Sequence, residues 1–262
     1  MPEGHTVHRI ARDHTAWLAG GRVGVTSPQG RFAAAARQLD GRALTHVDAH
    51  GKHLFYGFDD ESIVHIHLGL FGRFRVHRNT APAPRDVVRL RLAGEERTID
   101  LSGPTVCELT VRAALAPLFA RLGPDPLRAD ADPERAWAKI TRSRAPIGTL
   151  LLNQAVIAGL GNIYRAEILH ILAIHPNRPG HAVTRAEFDA IWSLAVQLLE
   201  VGVKYNRIIT ADPRAVGKPY SRFNRDERLL IYQRPECPRC GADVYYWEVG
   251  NRTVYACDAC QV

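Results

Sequence analysis

Four cysteines near the carboxyl end limit what this chain can fold into more than any other feature. Cys237-Pro-Arg-Cys240 and Cys257-Asp-Ala-Cys260 are two Cys-x-x-Cys knuckles separated by sixteen residues. Knuckles at this separation can deliver four thiolates tetrahedrally to one zinc ion, and Trp247, Val249, Thr253 and Val254 read as an intervening β-hairpin across Asn251. So short a segment cannot bury enough apolar surface to fold alone, and structural zinc supplies on the order of 10 kcal/mol to such modules. Four protein ligands leave no open coordination position, so the ion is expected to be architectural and any chemistry to lie elsewhere. Disulfides fit poorly, because five cysteines are an odd number; the fifth, Cys107, reads as a small buried hydrophobe.

Upstream of the knuckles the periodicity changes once. Residues 3–18 carry Val7, Ile10, Ala11, His14, Trp17 and Leu18 at helical spacing. Short alternating or β-branched runs follow at 22–26, 43–48, 53–58, 63–68, 74–77, 87–92 and 98–101, which predicts a β-sandwich or partial barrel. After Leu109 the spacing becomes helical, at 113–122, 133–141, 146–155, 162–172 and 184–203. The expected fold is α+β and multidomain. An N-terminal helix and β-sandwich span 1–115, a helical domain spans 125–225, and a zinc-finger hairpin spans 226–262.

Charge narrows the partners. The net charge is +7, and lysine stands only at 52, 139, 204 and 218, so the basic character is almost all arginine. Attraction to polyanions follows, with nucleic acid the favoured guess. Between 201 and 225, Lys204, Arg207, Arg214, Lys218, Arg222 and Arg225 face only Asp212, which suits a phosphate-facing surface or a solvated loop. No apolar run reaches the roughly 20 residues of a membrane span and no signal-peptide core is present, so the cytoplasm is the expected compartment.

Two positions offer nucleophilic or proton-transfer chemistry. The chain starts Met1-Pro2-Glu3-Gly4. Removal of the methionine would leave a proline whose secondary amine, as an α-amino group of pKa about 7.7–8.0, is partly unprotonated at neutral pH. Attack by that amine on a sugar carbon gives an iminium, an electron sink, and Glu3 is placed to protonate a ring oxygen. Pro and Glu in a first turn are also ordinary helix-start chemistry. Lys52, in His50-Gly51-Lys52-His53, can shuttle a proton where arginine cannot, or can be a surface lysine at a strand start. His65 and His67 sit two apart on a strand, more in keeping with packed histidines than with a metal pair. Gly69-Leu70-Phe71-Gly72 places two bulky apolar residues in a turn, either a core hairpin or a wedge for a base stack.

The stretch from Leu150 to Glu167 reads as a helix, a Gly-rich turn whose Gly159 and Gly161 let the backbone approach a partner closely, and a second helix opening at Asn162, whose free N–H groups suit a phosphate. Here the chain resembles the formamidopyrimidine-DNA glycosylase and endonuclease VIII family along essentially its whole length. The likeness is carried by Pro2-Glu3-Gly4, Gly51-Lys52, the Leu70 turn, Arg121-Leu-Gly-Pro-Asp125, the motif from Gly159 to Glu167, and the finger ending Cys257-Asp-Ala-Cys260-Gln261. It implies a bifunctional DNA glycosylase and AP lyase of base excision repair, a nucleoid-associated monomer whose partner is damaged DNA, duplex or single-stranded. Pro2 would be the nucleophile, Glu3 would assist ring opening, Lys52 would assist β-elimination and Arg252 δ-elimination. Arg121 and Asn162 would hold the DNA backbone, and Leu70 with Phe71 would fill the gap left by a flipped nucleotide. Residues 101–109 lack the Asp-Pro-Arg-Arg-Phe-Gly stretch of the guanine-lesion branch, so the resemblance implies the endonuclease VIII branch and oxidised pyrimidines. Gly69 stands where the bacterial endonuclease VIII turn has a glutamine. The alternative is a noncatalytic lesion- or structure-specific DNA-binding protein on the same scaffold.

Overall fold

The structure, a computed structural model, describes residues 2–78, 81–249 and 251–262. It divides into two compact units: Val7–Ala120 with the residues up to Glu3, and Arg121–Val262 with Gly4–Thr6.

The first helix is α1 (Gly4–Leu18), which belongs to the first unit from Val7 onward and for which Glu3 is the extended N-cap residue. Two four-stranded antiparallel sheets follow. One has the order β1-β6-β7-β5, built from β1 (Gly24–Thr26), β5 (Arg73–Arg78), β6 (Val88–Ala93) and β7 (Arg97–Ser102). The other has the order β2-β3-β4-β8, built from β2 (Leu44–His50), β3 (His53–Phe58), β4 (Ser62–His67) and β8 (Val106–Val111). The two-residue period sends Leu90, Leu92, Ile99 and Leu101 from the first sheet, and Leu54, Tyr56, Val64 and Ile66 from the second, into one buried core with Val7, Ala11 and Leu18 of α1. Each alternating run read from the sequence contains a strand.

Two elements escaped that reading. α2 (Ala33–Leu39) lies among the strands, where four consecutive alanines give no apolar stripe. β8 occupies a stretch whose Cys107, Leu109 and Val111 alternate with polar or small residues only briefly before the helical spacing starts. The helix expected at 113–122 is a 3-10 turn, Arg112–Leu115, running into α3 (Ala116–Arg121).

The second unit is helical: α4 (Pro133–Ile140), α5 (Ile147–Leu152), α6 (Asn162–Ile171), α7 (Arg185–Tyr205) and the short α8 (Pro213–Val216). Ile147, Leu151, Tyr164, Ile168, Phe188, Ile191 and Leu199 form its core. A capping box starts α7, with Thr184 accepting from the Glu187 amide and the Glu187 carboxylate accepting from Thr184. The basic segment 201–225 is not one loop, because α7 continues to Tyr205 and α8, capped by Asp212, interrupts the remainder. The chain ends in an antiparallel hairpin of β9 (Tyr245–Val249) and β10 (Arg252–Ala256). Among the described residues no helix is long and apolar enough to cross a membrane.

Candidate functional site

In the first unit, Glu3 is 1% exposed and Pro2 is half-buried, while Met1 lies outside the described residues. Lys52 is half-buried in the two-residue turn joining β2 to β3, where His50 pairs with His53. Its charge reaches His67 at the end of β4: burial, then His65, then Lys52 hold the His67 imidazole below its usual range. His65 is buried and hydrogen-bonded on both ring nitrogens, to His53 at 2.9 Å and to the Glu108 carboxylate at 2.8 Å. It is thus a packed histidine of the sheet.

The turn between β4 and β5 puts Leu70 at 52% and Phe71 at 83% exposure. Gly69 before them has φ +64°, and a Cβ there would collide with the Thr105 hydroxyl. That is a local reason why glycine, and not glutamine, precedes this tip. Cys107 packs against the sandwich core, and burial pushes its thiol up to about 12, so it stays protonated.

In the second unit the helix-turn-helix segment grips the chain's own start. The Gly4 amide donates to the Gly159 carbonyl at 2.8 Å, and a Cβ on Gly4 would stand 2.9 Å from the Gly159 Cα. The close approach expected of Gly159 is therefore made to this protein's own backbone. His5 packs edge-on against Tyr164, and burial, with the nearby amino terminus, lowers its imidazole to about 4.

Asn162 opens α6 and is only 5% exposed. Its side-chain amide donates to the Thr253 carbonyl at 3.0 Å and accepts from Arg165, which also donates to Thr253 at 2.9 Å. The start of α6 is thus stitched to β10 one residue past Arg252. Arg252 itself is half-buried at the first paired position of β10, opposite Val249. Arg121 is exposed, and Asp125 after it is buried and accepts from the Leu127 amide at 2.9 Å.

Sequence reasoning assigned no role to two further charged residues of α6, Arg165 and Glu167, although both are almost fully buried. The Glu167 carboxylate accepts from the backbone amides of Leu230 at 2.7 Å, Ile231 at 2.9 Å and Tyr232 at 2.8 Å, and from the Thr210 hydroxyl. The available signal was two opposite charges in a helix apolar on its other faces, since buried charges persist only when paired. The segment that Glu167 anchors walls a cavity of about 450 Å³, lined by Ile163, Arg225, Arg228, Leu229, Tyr232 and Arg234 among others.

Cys237, Cys240, Cys257 and Cys260 converge, with all four sulfurs within 4.8 Å of one another. Cys237 Sγ stands 3.9 Å from Cys260 Sγ, and Cys240 Sγ stands 3.5 Å from Cys257 Sγ. Four thiolates about 2.3 Å from a tetrahedral ion would be separated by about 3.8 Å, so the donor set fits one metal ion. Gln261 supports the second knuckle, accepting from the Cys257 amide and donating to the Ile174 carbonyl, each at 2.8 Å. Among the described residues no other histidine, cysteine or carboxylate group converges in this way.

A β-sandwich unit, a helix-two-turn-helix and a four-cysteine hairpin locked to it define the DNA-glycosylase class of repair protein. Comparison with known proteins specifies it further. Residues 1–104 match the Formamidopyrimidine-DNA glycosylase N-terminal domain, and residues 122–213 match the Formamidopyrimidine-DNA glycosylase H2TH domain. Endonuclease 8 1 of Mycobacterium tuberculosis is 45% identical over 267 residues, covering 100% of both chains. Endonuclease 8 2 of Mycobacterium bovis is 35% identical, again with both chains covered in full. In three dimensions the chain is similar to Lactococcus lactis Fpg in complex with an abasic site containing DNA, with a TM-score of 0.80 at 23% identity over 99% of each chain. The chain therefore belongs to the formamidopyrimidine-DNA glycosylase and endonuclease VIII family, the DNA glycosylases and AP lyases of base excision repair.

Proposed function

We propose that this chain removes oxidised pyrimidines from DNA and cuts the strand by successive β- and δ-elimination. Pro2, once the terminal methionine is removed, supplies the secondary amine. Its lone pair forms the bond to C1′ while the electrons of the glycosidic bond leave with the damaged base. Glu3 protonates the ring oxygen as the sugar opens to the iminium. Loss of a C2′ proton then expels the 3′ phosphate; Lys52 serves this step, and Arg252 serves the second elimination. Leu70 and Phe71 fill the vacated stack, and Arg121 and Asn162 hold the backbone. Base extrusion costs a few kcal/mol, which wedge and clamps offset.

The single observation that best supports this reading is the hydrogen bond from the Gly4 amide to the Gly159 carbonyl, made by the residue directly after Pro2 and Glu3. The pyrimidine preference is supported by the connection between β7 and β8: it comprises only residues 103–105, too short for a void-filling loop. Cys237, Cys240, Cys257 and Cys260 would hold one zinc ion that braces the hairpin bearing Arg252 and supplies no open coordination site.

The test is borohydride trapping on DNA carrying an abasic site or thymine glycol. A covalent complex that disappears when the terminal amine is acetylated is expected. Strong trapping by the acetylated protein rejects Pro2 as the nucleophile.

A further inference from the structure

The first unit carries a concentration of positive charge that the proposed repair chemistry does not use. β5 is an outer strand of its sheet, and the two-residue period puts Arg73, Arg75 and His77 on one face. Together with Arg85 from the segment that follows, they line a cavity of about 340 Å³ that Ser102 also borders. The one acidic group there, Asp100, stands opposite Arg75 in the strand register but is already committed. Its carboxylate accepts from Arg91 at 2.6 and 2.8 Å and from His77 at 3.0 Å. Burial alone would raise this carboxyl; the hydrogen bonds from Arg91 and His77 outweigh it and hold it below the usual carboxylate range.

Asp100 therefore has little capacity left for the cavity arginines. Among the described residues, the side chains of Arg73, Arg75 and Arg85 make no hydrogen bond or ion pair. Guanidinium groups gathered at one cavity repel one another until an anion enters. We infer that this cavity is a phosphate-binding site that takes a phosphate mono- or diester between Arg73, Arg75 and Arg85. The planar fork of each arginine matches phosphate oxygens bidentately, and Ser102 offers a further donor. The site shares no residue with the proposed catalytic set, so it stands or falls apart from that reading.

Inorganic pyrophosphate is the first probe, titrated calorimetrically into the full chain at low salt. Saturable one-to-one binding is expected. The variant Arg73→Gln/Arg75→Gln, at two exposed positions, keeps the wild-type thermal transition and binds about tenfold or more weakly, since each charge-assisted hydrogen bond is worth about that factor. Arg85→Gln, on a separate segment, shows the same direction. Lesion-free duplex then distinguishes the sources of the phosphate. Displacement of pyrophosphate by duplex, with a salt slope flattened in the variant by about 0.9 for each phosphate it no longer neutralises, identifies the DNA backbone; absence of displacement identifies a free phosphoanion. No saturable pyrophosphate binding to the wild type, or equal affinity in the variants, overturns the inference.

Discussion

Replacing Glu167 by glutamine is a sharp test of how the second unit is held together, because every partner of this carboxylate is a donor. Oε1 takes the Ile231 and Tyr232 amides, and Oε2 takes the Leu230 amide and the Thr210 hydroxyl. A glutamine oxygen at the first position keeps two of these bonds. Its NH₂ then faces the Leu230 N–H, donor against donor, while Thr210 can fall back on the Arg228 carbonyl at 3.1 Å. The loss is one partly buried amide without an acceptor, about 1–3 kcal/mol, plus the charge assistance of the two surviving bonds, about 1 kcal/mol each. Together these give about 3–5 kcal/mol and a thermal shift of about 10–15 °C for a unit of this size. Denaturation followed by fluorescence reads the change directly, since Trp137 and Trp192 pack against this unit's core. A shift below about 1 kcal/mol would show that the carboxylate is not what fixes residues 230–232 against α6.

Other perturbations test other parts of the molecule. Gly4→Ala has no room beside Gly159, so a destabilisation of about 1–3 kcal/mol is expected together with at least about a tenfold loss of borohydride-trapped complex; undiminished trapping would show that the anchor is dispensable. Cys257→Ser, or chelation, should release bound metal by elemental analysis and abolish DNA binding, and retention of wild-type affinity in metal-free protein would remove the hairpin from the interface. Leu70→Ala and Phe71→Ala, at exposed positions, should leave stability within about 0.5 kcal/mol while lowering turnover on lesion DNA; equal turnover would end the wedge assignment. His5 and His14 are lowered by burial to about 4 and about 3, against 6.5 in the unfolded chain. The unfolded state therefore binds protons first, stability present above pH 6.5 is lost as pH falls toward 4, and His14→Gln, which can still pair with Tyr56, should flatten that acid limb in denaturation curves.

Much of the architecture was legible because its signals are local. Two-residue alternation at Leu54 and Tyr56 or Ile99 and Leu101 declares a buried strand face, and the paired knuckles declare a metal-binding hairpin before any coordinates are seen. What stayed hidden depends on distant partners. Glu167 is bound by amides 63 to 65 residues downstream, where backbone groups carry no sequence signature. Gly159 was read as clearance for a ligand, whereas the group that comes close is Gly4. α2 is hidden because four consecutive alanines, although strong helix formers, set no apolar stripe apart from a polar face.

The bond from Gly4 to Gly159 also shortens the leash on the residues ahead of it. Two residues reach at most about 7 Å from their point of attachment, so the proline nitrogen can explore only a small volume. A terminus is ordinarily the most wandering part of a polypeptide; here little wandering remains to be frozen out when a sugar arrives, and the same tether limits how far a longer leader sequence could swing aside.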